Sequence, residues 1–173
     1  MKCLSLTQPW ASLMALGAKQ IETRSWKTDF RGPVAIHASL NFPAYAREYC
    51  LRSDTYDLLY QAGLCRRVAA MRGSILTAGL QVLEMPFGCI IATGRLVDVV
   101  RTDYVACDPA LCPGEIVRHQ PFGMHISQRE FAFGNYEDGR FAWIFEDLRA
   151  LPEPIVAGGA HRLWNYPGLE APE

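Results

Sequence analysis

Glycine and proline interrupt the apolar runs of this chain before any of them grows long. Pro9, Gly17, the Gly32-Pro33 pair, Pro43, Gly94, the Asp138-Gly139 pair, Pro152 and Pro154 divide it into short segments. Proline lacks a backbone N–H and fixes φ, so it opens helices and stands at sheet edges. Glycine accepts the left-handed φ that ends a helix or turns a strand. Between these breakers, period-2 segments rich in Val, Ile, Thr and aromatic residues alternate with two or three short helical stretches. Short strands, short helices and many turns predict an α+β protein built on a small barrel.

Residues 3–6 read as a first strand. Pro9 fits the first turn of a following helix, with Thr7 or Gln8 as its cap, because the missing N–H would be unsatisfied there anyway. Trp10, Leu13, Met14 and Leu16 recur near helical spacing, and Gly17 supplies the stop. From residue 19 to 26 alternation takes over, with Ile21 and Thr23 on one side and Glu22, Arg24 and Trp26 on the other. Residues 34–39 form a further strand, Val34 and Ile36 inward, His37 and Ser39 on the opposite face. Pro43 opens a helix to about Leu51, extended toward Gln61, and residues 62–85 read as mostly helical. Residues 87–100 are a strand interrupted near Gly94, and residues 103–126 an irregular loop region. Ser127 with Glu130 is a capping box for a short helix ending at Gly134. Asp138-Gly139 is a hairpin turn signal before a strand at 140–148, Pro152 and Pro154 mark an edge, and residues 158–166 are a glycine loop followed by an aromatic cluster.

Of the 173 residues, 50% are hydrophobic and 20% charged, the composition of one globular domain spanning 1–173. No segment approaches the roughly 20 apolar residues that cross a bilayer, and the start lacks the apolar stretch of a signal peptide; both point to a cytoplasmic protein without a membrane partner. Six cysteines are too sparse for a disulfide scaffold. Cys107 and Cys112, with His119 and His125 downstream, lack the compact spacing of zinc sites, so no metal and no cofactor are expected. Net charge is −1, which gives no global pull toward nucleic acid. Its distribution is uneven. Residues 1–72 hold ten Lys/Arg against five Asp/Glu, and residues 73–173 hold seven against thirteen. That permits one basic face, and equally two halves that attract each other.

Gly17-Ala18-Lys19-Gln20-Ile21-Glu22-Thr23-Arg24 fits the pattern G-x-K-x-x-E-x-R. Around it stand Leu4-Ser5-Leu6-Thr7-Gln8-Pro9-Trp10-Ala11, Ile36-His37-Ala38-Ser39, the strand Arg140-Phe141-Ala142-Trp143-Ile144-Phe145-Glu146-Asp147, and Arg162-Leu163-Trp164-Asn165. In this order the features resemble the ASCH domain family of the PUA-like superfamily, over residues 3–40 and 86–166. Residues 46–84 match nothing in that pattern and read as a helical insertion. The resemblance implies a mixed barrel of about five or six strands. It also implies a cleft between the first helix and the barrel, lined by the signature residues, that recognises RNA or a nucleobase.

The residues offer matching chemistry. Lys19 and Arg24 supply positive charge, with Lys27 and Arg31 near in sequence. Glu22 can accept from an exocyclic amine. Trp10, Trp26 and Trp164 are stacking surfaces, worth about 1–3 kcal/mol per base. Gln8, His37 and Ser39 are further polar candidates for binding. Plainer readings stand beside these: Trp10 lies on the apolar stripe of its helix, Trp143 is mid-strand and core, Glu22 and Arg24 can pair on the surface, and a lone His37 is commonly hydrogen-bonded structure. The partner expected is RNA, single-stranded nucleic acid or a modified nucleoside; the sequence names no protein partner.

An enzyme is the alternative. Some small bacterial members of the family are amidohydrolases that deacetylate a modified cytidine, in which a Lys of this motif assists a Thr three residues later, with a Glu from another strand. Lys19 matches that Lys, but the Thr position is Glu22, and neighbouring Thr23 falls on the opposite strand face. If the chain is a hydrolase of a modified nucleoside or of RNA, Lys19 and Glu22 are its catalytic residues, Glu22 activates water, and Glu146 or Asp147 supplies a second carboxylate. A third reading is a protein-interaction module that keeps the barrel alone.

Overall fold

The computed structural model describes residues 1–72, 75–119 and 123–170, with the backbone alone for 67–82 and 119. In chain order the elements are β1 (Lys2–Leu6), α1 (Trp10–Ala15), β2 (Ile21–Arg24), β3 (Gly32–Ala38), α2 (Ala44–Cys50), α3 (Ser53–Gln61), β4 (Cys65–Arg72) and β5 (Ile75–Leu83). After these come β6 (Cys89–Arg101), β7 (Val105–Asp108), β8 (Ile116–His119), β9 (Gly123–Ser127), α4 (Gln128–Ala132), β10 (Phe141–Val156) and β11 (Leu163–Asn165). The fold is mixed α+β, as the sequence predicts.

Six strands form one sheet in the order β11-β1-β3-β6-β10-β2. Only the β1–β3 pair is parallel. Although β1 and β2 stand far apart in this order, the Arg24 guanidinium on β2 donates to the Ser5 carbonyl on β1 at 2.7 Å. The sheet therefore bends into a half barrel whose seam lies between these two strands. Inside it, Leu4, Leu6, Val34, Ile36, Leu96, Trp143 and Phe145 pack against Ala11 and Met14 of α1, which plugs the concave side. On the outer face Ile21, Ala142 and Ile144 meet Met124 and Ile126 of a second sheet, ordered β7-β9-β8. Elsewhere on that face Cys3, Ala35 and Ile90 lie under Trp164 and Tyr166. The middle of β10 is thus buried on both faces, which is why residues 142–145 read as an unbroken apolar run. The same holds for β3: His37 does point away from Val34 and Ile36, but that face is covered too.

α1 ends where Gly17 takes φ +68, with the Lys19 N–H returning to the Leu13 carbonyl at 3.1 Å. Pro43 precedes α2 as expected, and the predicted extension to Gln61 is a separate helix, α3, after a break at 51–52.

Four readings of the sequence are corrected. Residues 65–83, expected to be helical, form the antiparallel β4–β5 hairpin, so the predicted insertion at 46–84 is helical only in its first part. Pairing between neighbours overrides local propensity there. Residues 103–126 carry the three strands of the second sheet rather than an irregular loop. β7 has no buried residue, and β9 has the buried alternation that sequence periodicity detects. Gly94 does not interrupt β6. A side chain there would meet Leu148 Cδ2 at 2.7 Å, so the glycine makes room for a neighbouring strand. Asp138-Gly139 is a turn, with Gly139 at φ +81, but it joins α4 to β10 and closes no hairpin.

Candidate functional site

β2 is the edge strand at the seam, and its period-2 geometry sorts its side chains. Ile21 and Thr23 are buried, whereas Glu22 and Arg24 face a cavity of about 460 Å³. The end of β1, the start of α1, Tyr45 and Tyr49 of α2, Trp26, the chain from Ala132 to Asn135, and Arg140 add to its walls. The Glu22 carboxylate, 13% exposed, lies between two cations: Lys19 Nζ at 3.7 Å and Arg24 Nε at 3.1 Å.

Lys19 departs from its sequence reading as a ligand-binding cation. It is 0% exposed and does not line the cavity. Its ammonium donates to the Ile21 carbonyl, and to that of Phe133 at 3.1 Å. It stands behind Glu22 and fixes the direction of that carboxylate. Arg24 does reach the cavity, 25% exposed, while also bridging to β1.

A second buried carboxylate backs the same strand. Glu130 accepts from the Gln20 N–H at 3.0 Å and the Ile21 N–H at 2.9 Å. Burial pushes its carboxyl above the ordinary carboxylate range, against the opposing pull of Lys19 and of these two donors. The capping box is half formed. The Ser127 hydroxyl accepts from the Glu130 N–H at 3.2 Å, but the Glu130 side chain crosses to β2 instead of reaching back. Nearby, the Tyr136 hydroxyl is buried with no hydrogen-bond partner among the described residues. Its ring stacks on Phe131 at 4.9 Å. Burial first, then the negative charges of Glu130 and Glu22, push that phenol well above its usual range.

The aromatic wall is larger than the sequence suggests. Trp10, half-buried, sits at the cavity edge rather than inside the core, with its ring 4.9 Å from Tyr49 and 6.2 Å from Tyr45. The tyrosines stand four apart on α2, hence on one helix face. That spacing was the available signal for them. Trp26 packs edge-on against Trp143 at 4.6 Å and carries the Arg162 guanidinium on its ring at 5.7 Å. Trp143 is core, as predicted, its indole N–H donating to the Trp26 carbonyl at 3.2 Å. Arg140, also missed, lines the cavity and donates to the carbonyls of Asn135 and Thr23, both at 3.2 Å.

The remaining candidates lie elsewhere. Gln8 is fully buried, its amide donating to the Pro86 carbonyl at 2.8 Å and accepting from the Ser12 N–H at 3.0 Å. It organises the start of α1 and does not line the cavity. His37 and Ser39 line a neighbouring cavity of about 400 Å³, which shares residues 5–7 and Arg24 with the first. Trp164 lines neither of these two cavities; its indole N–H donates to Ser5 Oγ at 3.1 Å and its ring stands edge-on to His37 at 5.8 Å. Thr23, 8% exposed, uses its hydroxyl to accept the Asn135 N–H at 3.0 Å. Arg31 is drawn to Asp98 at 3.4 Å. Glu146 and Asp147 are both exposed, contrary to the strict alternation that would turn one inward. A register shift between Glu146 and Arg149, with Asp147 at φ +52, breaks the period there. Cys107 and Cys112 are exposed free thiols, the His119 side chain lies outside the described residues, and among the described residues no three metal-ligating side chains converge. No described helix is long and apolar enough to cross a membrane.

Comparison with known proteins adds two findings. The ASCH domain model matches residues 4–132, a span that runs through α2, α3 and the β4–β5 hairpin and ends in α4. Activating signal cointegrator 1 of Homo sapiens and that of Mus musculus are each 46% identical to this chain over 57 residues. That segment is 33% of this chain and 10% of each relative's length.

Two measurements check the geometry. Lys19→Ala leaves Glu22 and two carbonyls without a buried cation and is expected to lower unfolding free energy by about 3–5 kcal/mol in urea titrations. A stability like the parent's would place that ammonium in solvent. His37 is held between Ser5 Oγ, 3.1 Å from Nδ1, and the Ala157 carbonyl, 3.0 Å from Nε2. Burial lowers its pKa from 6.5, against the opposing effect of that carbonyl. A depressed pKa favours the neutral ring in the folded state, so its contribution to stability is present above pH 6.5 and lost as pH falls below it. The NMR titration midpoint of His37 is expected below 6.5; one above would contradict the enclosed ring.

Proposed function

The chain belongs to the ASCH domain family, and from that premise we propose that the cavity between α1 and β2 receives one unstacked base of RNA or of another single-stranded nucleic acid. Family membership supports a nucleic-acid role, and the cavity chemistry supports the particular site. The observation that carries this reading is the Glu22 carboxylate, oriented by Lys19 and Arg24 toward a hollow walled by Trp10, Trp26, Tyr45 and Tyr49. A carboxylate accepts from the exocyclic amine of a base edge. Aromatic faces hold the ring by stacking, which tolerates any base and is favourable only once the base leaves its own strand. The volume is of the size that ligand sites use. Net charge is −1, so attraction for an anionic strand comes from local cations and not from the field of the whole molecule.

A hydrolase reading rests on the same carboxylate. Glu22 is partly exposed in the cavity, which would allow it to activate water on a modified nucleoside. The position of the Thr hydroxyl that the amidohydrolase branch uses is Glu22 here, and the neighbouring Thr23 is a buried residue. Binding is therefore the preferred reading.

Tyr45 is 62% exposed, so its removal leaves the core intact. Tyr45→Ala is expected to weaken binding of single-stranded RNA tetramers by about tenfold, within the range of one lost stacking contact. Glu22→Gln is expected to alter which base is preferred. If both variants bind every tetramer as the parent does, the cavity does not hold the base. Turnover of acylated cytidine that disappears in Glu22→Gln would favour hydrolysis instead.

A further inference from the structure

The second cavity, across the ridge formed by residues 5–7, differs from the first in charge. Its charged or titratable lining residues are Arg24, His37, His161 and Arg162, and it contains no carboxylate. The first cavity holds Glu22, which would oppose an anion there. Arg24 is common to both: its Nε faces Glu22, and its Nη2 binds the Ser5 carbonyl on the ridge. From these observations we infer that the second cavity is an anion subsite for the phosphate attached to the base in the first. The ligand is then a phosphorylated nucleotide or a strand, not a free nucleoside. The inference rests on the base-binding reading above and specifies its ligand class.

The loop that builds this cavity is held in an unusual shape. Arg162 has φ +59, a left-handed conformation that costs a non-glycine residue about 1 kcal/mol or more. It follows the Gly158-Gly159 pair. Gly159 approaches His37 so closely that a Cβ would lie 2.6 Å from its Cε1 and 3.2 Å from Ser5 Oγ. Any larger residue would push the loop off the ridge. The Arg162 guanidinium forms no ion pair with a described residue and rests on Trp26, a wall of the first cavity. A planar fork of donors without a carboxylate partner, placed beside a base pocket, suits phosphate oxygens. Ser39 adds a hydroxyl: its oxygen accepts the Asn41 N–H at 3.1 Å, which leaves its own proton to donate.

Arg162→Gly removes the guanidinium and relieves the left-handed strain, so the loop keeps its path. Binding is measured for the four nucleosides and for homopolymeric RNA tetramers, with Tyr45→Ala as the companion variant. Arg162→Gly is expected to weaken tetramer binding about tenfold and nucleoside binding less than about twofold, and Arg162→Lys to recover part of the loss. Tetramer binding unchanged in Arg162→Gly but weakened in Tyr45→Ala would overturn the subsite and leave the base cavity standing. Equal losses for nucleosides and tetramers would mean that Arg162 acts only through Trp26, which also overturns it. A parent that binds neither probe would remove the subsite and the base-binding reading together.

Discussion

An ammonium group enclosed by protein anchors β2, the strand on one side of the seam of this half barrel. Lys19 has no access to water, and a charge in that position persists only if the protein replaces its hydration. The replacement comes from three directions: the Ile21 carbonyl at the start of β2, the Phe133 carbonyl just past α4, and the Glu22 carboxylate facing the cavity. Glu130 then secures the backbone on the other side by accepting two N–H groups from residues 20 and 21. The entry to β2, the end of α4 and the cavity carboxylate are thus tied to one another. Removing any partner leaves a buried charge or donor unsatisfied, the costly side of hydrogen-bond energetics.

Because β2 is fixed from behind, its cavity-facing side chains are fixed in front. Glu22 presents a carboxylate whose direction is set by Lys19 and Arg24, and Arg24 closes the gap to β1. That single contact also makes the ridge which separates the two cavities. The first cavity gains a carboxylate and aromatic walls, and the second gains the Arg162 guanidinium and no carboxylate. A sheet closed by a continuous ladder would have no such opening. The two cavities exist because the barrel is left unpaired between β1 and β2.

The parts of this arrangement that are periodic in sequence were legible there. The first strand, the Pro9 to Gly17 helix, the alternation of residues 21–24, the Ser127 cap and the buried Trp143 follow from spacing and breaker chemistry. Burial depth did not follow. Lys19 reads as a surface cation because lysine is almost never fully buried unless paired, and its carbonyl partners leave no mark in sequence. Glu130 reads as a helix cap because its long-range partners, residues 20 and 21, are distant in the chain. Glu146 and Asp147 break alternation through a bulge that only pairing with β6 reveals. The β4–β5 hairpin and the second sheet were missed for a related reason: their strands are defined by pairing with neighbours, which single-sequence periodicity does not record.

Charge at the seam follows from the placement of a few side chains more than from net charge. Several of the chain's arginines are neutralised on the surface, as in Arg31 with Asp98, Arg52 with Asp54, Arg66 with Glu84 and Arg101 with Asp103. Exposed pairs of this kind contribute little to stability, but they cancel the field of the cations involved. Arg140 and Arg162 form no such pair with a described residue, and each lines one of the two cavities. A molecule of net charge −1 can therefore attract an anion at the seam while repelling it, weakly, elsewhere. Screening over a Debye length of about 8 Å at physiological salt confines that attraction to the seam itself, so its strength depends on where these two guanidinium groups are held rather than on how many the sequence contains.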